Sequence, residues 1–266
     1  MNTPAAALAE LGRLDRLAAG TSGIHTLDPR GKLLVTLAFI VLVLSYPPRE
    51  IGALLPFAVF PLALAAAGGV PVRYLVTRVL WTLPLVLFLG ASNIWFDRMP
   101  VATLGGMTVT AGMVTCASLL VRVALTVTAA TVLLATTGVS PLARALAACG
   151  VPRVMVVQLM LVYRYLFVVL EQLAQLRGAF ALRSAGRPLT LRVAGHLLAR
   201  LLLRSMDRAA RVHYAMRCRG FDGTIRLART LRWTLRDTAV TGAWLAVLLT
   251  LRVTAWDRLL AGGGMA

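Results

Sequence analysis

The chain has 266 residues, of which 59% are hydrophobic and only 14% charged, with a mean hydropathy of +0.79. Soluble domains carry roughly 25% charged residues, so this composition excludes a disordered chain and an ordinary soluble one. The formal net charge is nevertheless +18, from 28 basic and 10 acidic residues, and Lys32 is the single lysine.

Taken in chain order, residues 1–31 read as an N-terminal arm. It carries Glu10, Asp15 and Asp28 and lacks a continuous apolar core, so it is not a signal peptide. Apolar runs of membrane type follow at Lys32–Tyr46, Ile51–Gly69, Val79–Phe96 and Thr108–Thr137, the last interrupted by Arg122. Residues 32–137 therefore read as four transmembrane helices. Crossing roughly 30 Å of hydrocarbon takes about 20 helical residues, so the first run is short and needs a tilt or a thin bilayer. A fifth span, Thr238–Trp256, lies in the closing segment 237–266. Trp81, Trp95, Trp244 and Trp256 fall in or near span ends, as interfacial anchors do.

The charge is segregated. Residues 138–236 hold 17 arginines against Glu171, Asp207 and Asp222, a block of +14. Placing this block in the cytoplasm satisfies the positive-inside rule and puts the N-terminus inside as well. Val154–Leu170 is apolar too, but as a sixth span it would export residues 171–236 with 14 arginines. It is read instead as a helix kept on the cytoplasmic side. The expected fold is all-α: a polytopic membrane protein of about five spans plus long cytoplasmic helices.

Within the block, Pro152 suits a helix start and Gly186 and Pro188 suit a stop, which predicts one helix from Pro152 to about Ser184. A second helix is expected from about Thr190 to Arg219, capped by Gly220, with Leu191, Leu198, Leu201, Val212 and Met216 on one face and Arg200, Arg204, Arg208 and Arg211 on another. Each helix ends on an arginine flanked by small or apolar residues: Leu182-Arg183-Ser184-Ala185-Gly186 and Cys218-Arg219-Gly220-Phe221. Two readings stand side by side. One is dipole complementation, about 0.3–1 kcal/mol. The other is a pair of matching protrusions that dock on two copies of a partner, the planar guanidinium fork suiting carbonyls or carboxylates in a groove.

Motifs for chemistry do not accompany these helices. Cys116, Cys149 and Cys218 lie far apart, and His25, His196 and His213 form no pair at ligand spacing. Neither a phosphate-binding loop nor a nucleophile elbow occurs. The chain is read as non-catalytic, with no cofactor and no metal of its own. His25 is read as a structural hydrogen-bonder.

Four stretches together resemble the transmembrane T component of energy-coupling-factor transporters, and most closely its cobalt-type CbiQ family. They are His25-Thr-Leu-Asp28-Pro29-Arg30-Gly-Lys32-Leu33-Leu34; Ala135-Thr136-Thr137 followed by Gly150-Val151-Pro152; Tyr163-Arg164-Tyr165 with Glu171; and the two arginine motifs. The likeness covers roughly residues 20–230. It implies a subunit without chemistry that couples two ATP-binding-cassette ATPases, through Arg183, Ser184, Arg219 and Gly220, to a separate membrane subunit that binds the substrate. The implied cargo is cobalt(II), with nickel or a vitamin as alternatives, and the implied location is the cell membrane. The family motif has alanine before each arginine, where this chain has Leu182 and Cys218.

Other residues keep two readings each. Asp28, Arg30 and Lys32 lock the arm to the coupling helices, or form a surface charge cluster in which Asp28-Pro29 starts a helix. Arg122 lines the interface with the substrate subunit, or snorkels to a membrane edge. Arg164 falls in the first coupling helix. Against the transporter stand an intramembrane lipid-processing enzyme, for which the acidic residues weighed near span ends are Asp97, Asp237 and Asp257, and a nucleic-acid platform, for which no aromatic RNA motif is present.

Overall fold

The structure is a computed structural model that describes residues 4–20, 22–47, 52–96, 100–104, 107–184, 188–223 and 233–253. In chain order the helices are α1 (Pro4–Ala18), α2 (Pro29–Leu44), a 3₁₀ segment (Gly52–Ala58), α3 (Val59–Ala67), α4 (Val72–Phe96), α5 (Ala111–Thr137), α6 (Val139–Ala148), α7 (Arg153–Arg183), α8 (Leu191–Cys218) and α9 (Leu235–Val253). A short antiparallel hairpin, β1 (Pro100–Leu104) with β2 (Met107–Thr110), interrupts an otherwise all-α, polytopic architecture. Two compact units result. One joins Leu17–Gly138 to Arg232–Ala266, and the other joins Met1–Arg16 to Val139–Leu231.

In the first unit, the bundle, α2 packs on α5 and α9, and α4 packs on α5. The bundle core is aromatic. Phe39 and Phe60 approach to 4.8 Å between ring centroids, and Phe60 meets Trp244 edge-on at 5.1 Å. Tyr46 meets Phe57 edge-on at 5.5 Å. Such pairs add about 0.5–1.5 kcal/mol each beyond their buried area. Trp244 is half-buried and packs against this core from mid-α9 through Phe60, rather than standing at a helix end. The opposite sides of the helices stay apolar and exposed: Trp81 is 70% and Phe88 78% accessible on α4. A helix that is apolar all round belongs in lipid.

Two predicted boundaries shift for local reasons. The run Ile51–Gly69 is not one regular span. Gly52–Ala58, which contains Pro56, forms a 3₁₀ segment before α3 begins. The fourth run starts at Ala111, since Thr108 belongs to β2. Among the described residues, three helical segments suffice by length and composition to cross a membrane, Val72–Ser92, Ala111–Thr137 and Arg153–Arg183, so α7 meets that criterion along with α4 and α5. The Asp97–Arg98 loop, Gly186 and Trp256 fall outside the described residues.

In the second unit, α6 packs on α7 and α7 on α8. The turn between α6 and α7 is closed by Gly150, whose φ of +93° lets the Val151 amide reach back to Leu146 O at 3.1 Å.

Candidate functional site

The two arginine tips are built alike by helix ends. Arg183 is the last residue of α7 and is exposed. Ser184 caps it, donating from its amide to Phe180 O at 2.8 Å and from its hydroxyl to Ala181 O at 3.2 Å. Arg219 caps α8 and is exposed as well. Behind it the Phe221 amide bonds to Met216 O at 3.0 Å and the Gly220 amide to Arg217 O at 3.0 Å. That double closure needs a left-handed residue, and Gly220 supplies it with φ +74°. Both guanidinium groups therefore stand on the negative end of a helix dipole with their donors facing outward. Leu182, where the resemblance has alanine, is 88% accessible and adds an apolar surface beside the first tip.

Between the tips, Arg200, Arg204 and Arg211 are exposed on α8 and Arg208 is half-buried. The apolar face expected on this helix is only partly covered: Leu201 is buried, but Leu191 and Leu198 are 91% and 58% accessible. On α7, Arg164 is exposed, and the neighbouring Tyr163 hydroxyl donates to Asp15 Oδ1 at 2.6 Å, which ties α1 to α7.

The Asp28–Lys32 motif lies in the bundle. Asp28 is 5% accessible and caps α2, accepting from the Arg30 amide at 2.9 Å, with Pro29 as the first helical residue. Its own amide donates to Asp237 Oδ1 at 2.9 Å. The Lys32 ammonium donates to Thr136 O at 3.1 Å, at the end of α5. Asp28 and Lys32 thus join the start of α2 to the start of α9 and the end of α5. Arg30 is half-buried beside them. His25 spends both ring nitrogens on structure. Leu17 O, 2.9 Å away, can only accept, so Nε2 donates to it, and Nδ1 shares a hydrogen bond with the Ser22 hydroxyl at 2.7 Å.

Arg122, in the middle of the long span, reaches Ser118 Oγ with Nε at 3.2 Å and Pro47 O with Nη2 at 2.5 Å. It satisfies a carbonyl just beyond α2, where the helix leaves its last acceptors without partners.

Asp237, in the sequence only an acidic residue near a span end, has a structural role that the sequence analysis does not assign. Its Oδ2 accepts from the Thr234 amide at 2.9 Å and the Thr234 hydroxyl at 2.6 Å, while Oδ1 takes the Asp28 amide. The pattern Thr234-x-x-Asp237 before an apolar run is a capping-box signal and was available to find it. Arg252 is the other: its guanidinium stacks 4.2 Å above the Tyr46 ring. No local motif announces that contact.

Apolar helices bonded at their termini through two buried carboxylates and a half-buried lysine, in a chain that also carries arginine-rich helices, define a polytopic membrane protein. The chain matches the family model described as CbiQ, cobalt transport protein, over residues 20–230, and it belongs to that family. It is accordingly a membrane component of cobalt transport. No curated protein matches the chain.

Proposed function

We propose that this protein is the transmembrane energy-coupling subunit of an energy-coupling-factor transporter that imports cobalt(II). In this reading it performs no catalysis. Arg183 and Arg219 dock on two ATP-binding-cassette ATPase subunits, and a separate membrane subunit selects the metal. The observation that carries the reading is the pair of exposed arginines at the C-terminal ends of α7 and α8, on a chain that belongs to a cobalt transport family. Guanidinium forks in that position suit a carbonyl- or carboxylate-lined groove.

Charge favours five spans in the cell membrane, with the N-terminus and residues 138–236 in the cytoplasm. Although α7 is long and apolar enough to cross, crossing would carry the 14 arginines of residues 171–236 to the outer face. We therefore assign α7 to the cytoplasmic interface.

The double variant Arg183→Glu/Arg219→Glu tests the docking role. ATPase co-purification is expected to fall more than tenfold, equivalent to about 1.4 kcal/mol, while the chain still inserts in the membrane. Full ATPase retention with undiminished cobalt uptake would refute it.

A further inference from the structure

Lys32, the single lysine of the chain, stands between two acceptors and serves one of them. Its ammonium donates to Thr136 O at 3.1 Å. That carbonyl lies in the last turn of α5, where a helix leaves its final C=O groups without intrahelical partners. A lysine there also complements the negative end of the helix dipole.

The second acceptor is Asp28 Oδ2. Asp28 is 5% accessible. Its Oδ1 accepts from the Arg30 amide, but Oδ2 is buried with no hydrogen-bond partner among the described residues. Leaving a buried carboxylate oxygen unpaired is costly, and folded proteins rarely do so. The Arg30 guanidinium does not supply the bond, since its Nε is buried without a described partner as well. Lys32 stands one helical turn on from Asp28. Its amide donates to Asp28 O at 3.5 Å, and side chains at that spacing share one face of a helix.

Space joins the two positions. A cavity of about 250 Å³ is bordered by both Asp28 and Lys32, and its other walls are mainly apolar, among them Leu64, Val240 and Trp244. Asp237 borders it too, but already accepts three hydrogen bonds. Each position of the ammonium therefore satisfies one buried acceptor and abandons the other.

We infer that Lys32 is a two-position latch. Its ammonium exchanges between Thr136 O and Asp28 Oδ2 along this cavity, gripping the last turn of α5 in one position and releasing it in the other. Asp28 then does more than cap α2, because it competes for the lysine. Side-chain rotation suffices for the exchange, as both residues belong to the first turn of α2. Its effect falls on the residues just before Gly138, whose amide closes α5 on Leu134 O at 2.9 Å.

A chain with one lysine gives one lysine side-chain signal, so ¹³Cε-lysine NMR of the purified full-length protein in detergent reads the latch directly. The wild-type signal is expected to show two-state exchange, with a minor population of about 1–10%. Asp28→Asn keeps a favourable helix cap and removes the competing anionic oxygen, so the exchange should vanish. Hydrogen exchange of peptides that end α5 gives the direction. Asp28→Asn should slow exchange there about threefold, because the ammonium stays on Thr136 O, and Lys32→Met should speed it about threefold. If the cluster only held the fold together, both variants would lose a contact and both would speed exchange. Changes of the same sign therefore overturn the latch. So does a single, non-exchanging Lys32 signal in the wild-type protein, a result that stands even where a variant fails to fold.

Discussion

Asp237→Ala is expected to destabilise the bundle by about 2–4 kcal/mol, the largest single effect among its polar residues. The carboxylate is 5% accessible and accepts three hydrogen bonds. Removing it uncaps α9, which costs about 0.5–2 kcal/mol. It also leaves the Asp28 amide buried without its acceptor, at about 1–3 kcal/mol. Asp237→Asn keeps the shape and one acceptor oxygen but turns an NH₂ toward a donor, so its loss should fall between wild type and alanine. Denaturant unfolding of the purified chain, followed by tryptophan fluorescence, measures both. An alanine variant within 0.5 kcal/mol of wild type would show that the bond between the starts of α2 and α9 contributes little.

The segments that were legible in the sequence were those bounded by backbone chemistry. Helices expected from Pro152 to Ser184 and from Thr190 to Arg219 run from Arg153 to Arg183 and from Leu191 to Cys218. Proline, threonine and glycine act there through their own φ angles and capping oxygens, and a linear reading captures that. The hairpin was legible in principle. Gly105-Gly106 stands between two β-prone stretches, but its apolar residues merged with the span that follows. What stayed hidden depends on distant partners. Asp28 and Asp237 meet across 209 residues, and Trp244 turns toward Phe60 because of how α9 lies on the bundle. The arginine tips at Arg183 and Arg219 are legible because they end helices. The charge cluster Asp28–Lys32 stands out as a motif, yet its partners on α5 and α9 depend on the fold.

Gly31→Ala should likewise destabilise the bundle, by about 1–3 kcal/mol, although glycine to alanine inside a helix ordinarily stabilises by about 1 kcal/mol. The sign reverses because of what lies opposite. Gly31 is a buried residue of the first turn of α2, and a β-carbon placed on it would overlap the Thr241 hydroxyl of α9. Thr241 Cβ lies 3.7 Å from the same point, an ordinary contact, so only the hydroxyl stands in the way. Small residues at such crossings let membrane helices approach closely, and this one lies beside the Asp28–Asp237 bond. The clash therefore pushes α2 from α9 where their polar ends must stay in register. Thr241→Ala removes the hydroxyl and leaves Cβ, so the double variant Gly31→Ala/Thr241→Ala should recover most of the lost stability. A double-mutant cycle by denaturant unfolding isolates the term. A coupling of at least about 1 kcal/mol in the rescuing direction is expected, and additive single effects would rule out direct contact between Gly31 and Thr241 as the determinant of this helix crossing.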